Sequence, residues 1–417
     1  MAEASHSSKL FGLGSTGVLC FYALFLSLIF SVYIFSSSNL LKFTAIHANT
    51  NGCFQRAQTN NESCDLFDGR WVPDKDGPLY SNYSCPTIPT IRNCFYHGRK
   101  DRDFLYWRWK PEQCQLPRFD SKAFLSIVQG KTMAFIGDSI ARNQMESLLC
   151  LLSMEESPTS ISKDEEEKFI TTWHFPHHNF TLKVLRSVFL IRATEKVKSN
   201  GQSTNRFHLL LDQLDPNWTQ NISNVDYAIF SDGQWFLRPI YLHEAGNLAG
   251  CIFCREPNVK DLGAAFAIRK VFKAAFKYVN ERRRGIVVFM RTFSPSHFEH
   301  GAWHNGGFCN RTRGLSREEV EGVGVGGVDD WEYRNIQVEE FERAKRDGEK
   351  RGNRFGIIDV TRAMMMRPDG HPGEFWGNRW MKGYVREIKN LIYSVKLVLP
   401  ICTLNFTHSE LDFSPKA

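Results

Sequence analysis

The sequence predicts an α/β sandwich joined to a disulfide-stapled, loop-rich N-terminal subdomain, all of it behind one N-terminal transmembrane helix. Three observations predict the soluble part. Short apolar runs at residues 133–136, 227–230, 286–289 and 357–358 have the character of buried parallel strands. Between them Leu262, Phe266, Phe272, Phe276 and Val279 recur at helical spacing, and residues 338–351 form a charged amphipathic pattern, so strands alternate with helices. Ahead of them, residues 64–120 hold Cys64, Cys85, Cys94 and Cys114 among aromatics and turn residues, with no long helical pattern.

The membrane helix comes first in the chain. Residues 10–41 contain no charged side chain, and residues 17–35 (GVLCFYALFLSLIFSVYIF) are about long enough to cross a bilayer. Tyr33, Ile34 and Phe35 make a poor approach to a cleavage site, so the segment is expected to stay as a signal anchor. Residues 1–16 would then be a cytosolic tail. Lys9 and Lys42 flank the span evenly and decide no orientation. The N-x-[ST] sequons at Asn61, Asn82, Asn179, Asn217, Asn221, Asn310 and Asn405 all follow the span, and such sites are used only in the lumen. Ten of the eleven cysteines follow it too, as suits an oxidising compartment. A single-pass type II topology is the expectation.

Residues 36–63 lack apolar periodicity and read as a stem, with the fold starting near Cys64. Within residues 64–120, the run Trp107, Arg108, Trp109 could be core or a platform for stacking sugars. Residues 164–167 (DEEE) and 322–327 (GVGVGG) can bury little apolar area and are expected as surface loops. The formal charge of +7 is diluted along the chain without basic clusters, which argues against a nucleic-acid partner and fits a polysaccharide. His297, His300 and His304 have no carboxylate or cysteine set to complete a zinc site, so no metal is expected. Nor is a bound cofactor.

The chemistry is expected at Gly137-Asp138-Ser139. The run 133–136 ends as a strand, and residues 140–152 (IARNQMESLLCLL) continue as a helix, so Ser139 falls at the strand-to-helix turn. Such a turn exposes the hydroxyl above the sheet, where backbone N–H groups and the helix N-terminus can stabilise an oxyanion. Asp138 is expected to cap the helix rather than to act in catalysis. A serine nucleophile needs a histidine base oriented by an acid, in a D-x-x-H arrangement late in the domain. None is present: Asp369-Gly370-His371 has the wrong spacing, and His408 followed by Asp412 has the wrong order. His371 and His408 are weak substitutes.

At this point the chain resembles a known family. The matching pieces are residues 64–73 (CDLFDGRWVP), 80–86 (YSNYSCP), Asn93-Cys94, 104–110 (FLYWRWK) and 114–119 (CQLPRF). They continue with 137–143 (GDSIARN), 233–236 (GQWF), 303–309 (WHNGGFC) and 367–372 (RPDGHP). In this order, from about residue 64 to Tyr384, they resemble the plant trichome birefringence-like family. Its members join a cysteine-rich N-terminal domain, here 64–120, to a PC-esterase (SGNH-like) domain, here 121–384, and O-acetylate cell-wall polysaccharides in the Golgi.

The resemblance implies an acetyl-Ser139 intermediate, an oxyanion held by the Ser139 and Gly233 N–H groups with Arg142 as candidate helper, and motif support from Gly137, Asp138 and Asn143. It implies a Golgi membrane location, a cell-wall polysaccharide acceptor and a membrane supplier of the acetyl donor, whose identity the residues do not specify. Residues 147–156 (SLLCLLSMEE) with Asp74 and Lys75 resemble the xyloglucan and mannan branch more than the xylan branch.

The family pattern then calls for an N-D-C-x-H-W-C-L-P-G segment, with the acid, the base and two cysteines. This chain instead continues from Val385 as VREIKNL, and residues 385–417 lack family character. Val-Arg can be encoded by the start of an intron, so the tail is expected to come from a retained intron or a gene-model error. Cysteine arithmetic agrees. If Cys64 pairs with Cys114, Cys85 with Cys150 and Cys251 with Cys254, then Cys94 and Cys309 lack good partners, and Cys402 could serve only one of them. Two rival functions follow: a catalytically impaired Golgi polysaccharide-binding or scaffold protein, and an acetyl esterase that resolves the same acyl-enzyme with water.

Overall fold

Met133 and Phe135 point to one side of a central strand, and Ala134 and Ile136 to the other, where each pair joins a separate hydrophobic core. Burial on both faces makes this run apolar throughout rather than alternating. The computed structural model describes residues 64–161, 170–300, 309–323 and 328–375. The cytosolic tail, the candidate span 17–35, the stem, the acidic run 164–167 and the tail from Val385 lie outside these residues, as do Asn61, His304, Cys402, Asn405 and His408. No helix among the described residues is long and apolar enough to cross a membrane.

The strands are β1 (Gly69–Pro73), β2 (Trp107–Pro111), β3 (Thr132–Gly137), β4 (Thr159–Ser160), β5 (Ile170–Phe175), β6 (Phe180–Arg186), β7 (Ile191–Val197), β8 (Ser203–Leu214), β9 (Tyr227–Ser231), β10 (Ile240–Glu244), β11 (Asn247–Ile252), β12 (Val287–Arg291) and β13 (Arg354–Ile358). The helices are α1 (Ser121–Ile127), α2 (Ser139–Leu152), α3 (Pro216–Thr219), α4 (Gly263–Arg282), α5 (Arg317–Val323), α6 (Val328–Glu349) and α7 (Thr361–Met365).

The main sheet has the order β13-β12-β9-β3-β6-β5-β4. Its five strands from β13 to β6 run parallel, and β5 and β4 add an antiparallel edge. The chain lays β6 on one side of β3 and then returns to lay β9 on the other. Direction therefore reverses between β3 and β9, and the crevice beyond their carboxyl ends is where open α/β sheets bind ligands.

One face of the sheet is covered by α1, α2, α7 and the β1–β2 hairpin, the other by α4 and α6. Against that second core also packs a four-stranded sheet, β11-β10-β8-β7, that the apolar runs did not predict. Two further boundaries differ from expectation. Helix α6 starts ten residues before residue 338, because Trp331, Tyr333 and Ile336 extend its apolar stripe and Asp329 and Asp330 complement its N-terminal dipole. Helix α5 runs through Val323, into the segment expected as a loop from Gly322; residues 324–327 are outside the described set.

The N-terminal subdomain is stapled as well as packed. Disulfides join Cys64 to Cys114, Cys85 to Cys150 and Cys251 to Cys254, and the second ties the subdomain to α2. Trp71 and Trp109 face each other across the hairpin at 5.6 Å, and the Trp71 indole donates to the Ala363 carbonyl at 2.9 Å. Trp107 is half-buried against the same core, so the tryptophan run belongs to the core and not to an open sugar platform. The 367–372 segment forms a buried clamp. Arg367 pairs with Asp369 at 2.7 Å and donates to the Phe104 carbonyl at 2.8 Å, while Arg99 donates to the Asp369 and His371 carbonyls. Both partners of the Arg367–Asp369 pair are buried, so losing one would strand the other charge. Of the described sequon asparagines, Asn179 and Asn310 are exposed and Asn82, Asn217 and Asn221 are half-buried.

Candidate active site

Ser139 is the first residue of α2, directly above β3, and it is half-buried. The turn below it depends on glycine. Gly137 has φ +143°, and a Cβ there would lie 1.9 Å from the Ser231 carbonyl oxygen on β9. That close approach brings the ends of β3 and β9 together. Asp138 caps the helix, its Oδ1 accepting the Ile140 N–H at 2.8 Å. Among the described residues no side chain hydrogen-bonds the Ser139 hydroxyl, so the group is not consumed by structure.

Gly233 stands at the matching position after β9, with φ +139° and a site for Cβ only 2.8 Å from the Phe293 ring. The sequence therefore brings Ser139 and Gly233 to the same crevice from strands far apart in the chain. The Gly233 N–H, however, donates to the Asp232 carboxylate at 2.6 Å. Gln337 fixes the same turn, donating to the Asp232 carbonyl at 2.8 Å and accepting the Phe293 N–H at 2.7 Å.

Beneath the crevice lies a buried charged layer that sequence patterning missed. Asp138 and Asp232 each keep one carboxylate oxygen buried without a hydrogen bond, and Arg291 keeps its Nη2 so. Burial pushes Asp138 up to about 6, against the pull of the Ile140 N–H and of Arg291. Burial and the neighbouring Asp138 charge raise Asp232 well above the usual carboxylate range. Burial lowers Arg291 and Arg238 to about 10, with Asp138 opposing, and Arg238 stacks 3.9 Å over Trp235. The signal for these residues was their position: Asp232 and Arg291 sit at the ends of apolar runs.

The raised Asp138 predicts a pH dependence. Its folded pKa lies above its unfolded value of 3.8, so the folded state binds this proton more tightly. The stability it contributes is complete below about 4 and is lost as pH rises through about 6. Asp138→Asn keeps an acceptor for Ile140 and removes the buried charge. It is expected to stabilise the fold at pH 7.5 by on the order of 1–3 kcal/mol, seen as a higher melting temperature, with the advantage shrinking towards pH 4. Melting curves for both proteins across that range check it, and a difference that does not change with pH overturns it.

Arg142 and Asn143 follow on α2 and turn towards the N-terminal subdomain. Asn143 is buried and accepts from Arg92. Arg92 also pairs with Glu146 at 2.8 Å, and Arg142 reaches Glu146 at 3.8 Å. Beside them a cavity of about 100 Å³ is lined by Tyr80, Arg92, Cys94, Phe104 and Glu146 among others. Cys94 is a buried free thiol that burial holds above its usual pKa.

The two substitute bases fare differently. His408 lies outside the described residues. His371 is buried, and its Nδ1 accepts the Gly373 N–H at 3.1 Å, which leaves the ring proton on Nε2. Placed so, the Nδ1 lone pair is turned to the Gly373 N–H. His297 differs: its Nε2–H donates to the Met364 carbonyl at 2.6 Å, its Nδ1 is buried without a hydrogen bond, and burial lowers its pKa to about 4. No group of three metal-ligating side chains occurs among the described residues.

Comparison with known proteins bears on this site. Residues 116–390 match PC-Esterase, the GDSL/SGNH-like acyl-esterase family found in Pmr5 and Cas1p, and residues 62–115 match the PMR5 N-terminal domain. The chain is 52% identical over 362 residues to xyloglucan O-acetyltransferase 4 of Populus trichocarpa, covering 86% of this chain and 84% of the relative. It is 47% identical over 324 residues to xyloglucan O-acetyltransferase 2 of Arabidopsis thaliana, covering 77% of each. Protein trichome birefringence-like 24 of the same plant is 44% identical over 319 residues, 75% of this chain and 73% of that one. With a serine turn at the sheet's switch point, a stapled N-terminal domain before it and these matches along both, the chain belongs to the plant trichome birefringence-like group of the PC-esterase family.

Proposed function

We propose that this chain transfers acetyl groups to hydroxyls of a xyloglucan-type polysaccharide through an acetyl-Ser139 intermediate. The observation that carries the proposal is Ser139, half-buried at the head of α2 with its hydroxyl unbonded among the described residues, in a chain so similar to proteins named xyloglucan O-acetyltransferases. The Ser139 oxygen attacks the acetyl carbonyl, the donor's leaving group departs, and the serine proton passes to a base. A sugar hydroxyl then attacks the acetyl-serine, returning a proton and releasing the acetylated glycan. The oxyanion formed in each half is held by the Ser139 and Gly233 N–H groups, with Arg142 beside them.

Asp232 bears on that second donor. For Gly233 to serve, its N–H must leave the Asp232 carboxylate, and a protonated carboxyl is the weaker acceptor. The burial that raises the Asp232 pKa therefore favours release. The base is not assigned to a described residue: His371 accepts the Gly373 N–H on Nδ1, and His297 donates to the Met364 carbonyl in a buried site.

The proposed setting is the Golgi membrane, with a single span at 17–35, type II orientation and a lumenal body of domains 64–120 and 121–384. One experiment tests setting and reaction together. Intact microsomes carrying the chain are treated with external protease and then supplied with xyloglucan oligosaccharide and labelled acetyl donor after mild permeabilisation. Label in the oligosaccharide from a protected chain is expected. Label recovered only as free acetate would make the protein an esterase, and digestion before permeabilisation would overturn the lumenal setting.

A further inference from the structure

Arg186 ends β6 as the register partner of Gly137, one residue from Asp138 and two from Ser139. Arg142 lies one turn into α2 from the same serine. The Nε group of each is buried without a hydrogen bond. Arg142 is depressed to about 10, by burial and by the neighbouring charge of Arg92, with Arg186 adding to the repulsion.

Counter-charge around them is thin. Glu146 lies 2.8 Å from Arg92 and 3.8 Å from Arg142, so the one glutamate is held chiefly by Arg92. Asp138 attracts Arg142, but it is drawn more strongly to Arg291 on its other side. Arg186 makes no ion pair among the described residues. Arg92, Arg142 and Arg186 thus share Glu146 and part of the Asp138 charge, an arrangement that an added anion would relieve. The side chain of Arg142 is 22% exposed, so the cluster opens to solvent.

We propose that Arg142 and Arg186 form a subsite for a phosphate-class oxyanion carried by the acyl donor. Planar guanidinium forks match the paired oxygens of such a group, and two of them suit a dianion. The inference rests on the reading of Ser139 as acetyl carrier in one respect. It assigns the anion to the donor because a xyloglucan acceptor is a neutral glycan and brings none.

The test is a direct binding measurement on the full chain, with inorganic pyrophosphate as probe. Calorimetric titration is expected to show one site that Arg186→Gln weakens about tenfold, the loss of one charge-assisted fork, and that Arg186→Lys weakens less. Both variants should melt as the parent does; if Arg186→Gln unfolds, Arg186→Lys and competition in the parent decide the matter. Displacement of pyrophosphate by coenzyme A identifies a thioester donor, and binding without displacement identifies another phosphate ester. Either supports the subsite. No pyrophosphate binding by the parent, equal binding by the parent and Arg186→Gln, or preference for a uronate-bearing oligosaccharide overturns it. Ser139→Ala should bind pyrophosphate unchanged, so a failed acetyl-serine reading and a failed subsite give different results.

Discussion

Ser139→Ala, in a chain supplied with the family's complete C-terminal segment, is expected to remove both acetyl-enzyme and acetylated product while leaving the melting temperature in place. The two halves of that expectation have separate physical grounds. Alanine lacks the oxygen that must carry the acetyl group, and removing a member of a serine triad typically costs about 10⁴–10⁶-fold in rate. Stability should hold because the hydroxyl makes no hydrogen bond among the described residues. The cap that starts α2 is supplied by Asp138, and the turn by Gly137. The measurement is mass spectrometry of the peptide containing residue 139 after exposure to labelled acetyl donor, with product formation followed alongside. Acetyl transfer persisting at the parent rate would sink the mechanism; a drop in melting temperature of several degrees would instead mean that Ser139 has a structural duty not visible in its contacts.

The serine turn was legible in the sequence because its determinants are local. A wholly apolar strand, small residues at the bend and a helical repeat after it each leave a signature in a few consecutive positions. The second sheet left a weaker one. Its strands β7 and β8 bury one face against the core and leave many positions half-buried or exposed, so their hydropathy is uneven, and Asn205 inserts a left-handed residue with φ +54° into β8. The buried charges were hidden for a different reason. Arg291, Arg367, Asp138 and Asp232 are each 5% exposed or less, yet in a sequence an arginine or aspartate is presumed to face water. Only tertiary neighbours make them tolerable, and those neighbours come from distant segments. The 367–372 motif misleads in the same way. Its histidine invites a catalytic role, whereas its carbonyls, its arginine and its aspartate serve to hold the N-terminal subdomain.

The chain with its present tail is expected to be far less active than one whose residues after Tyr384 are replaced by the family's D-C-x-H-W-C segment. If the present tail supplies no base, Ser139 stays protonated near neutral pH, and catalysis then rests on oxyanion stabilisation and positioning alone. The described histidines near the clamp are poor substitutes, because His371 spends Nδ1 on the Gly373 N–H and burial lowers the pKa of His297 to about 4, away from a base's working range. The tail has a second expected effect, on stability. Cys94 is a free buried thiol lining a cavity of about 100 Å³ between the N-terminal subdomain and α2. A cysteine brought there by the replaced segment would close a covalent link, and a native disulfide in a secreted domain is commonly worth about 2–5 kcal/mol. The two effects separate in a set of three proteins: the present tail, the replaced tail, and the replaced tail with its histidine changed to alanine. The alanine protein should melt with the replaced-tail protein and transfer as little acetyl as the present chain, which ties rate to the imidazole and stability to the cysteines. If the present chain already matches the replaced-tail protein in rate, His371 or His408 is serving as base, and mutating each in turn identifies which.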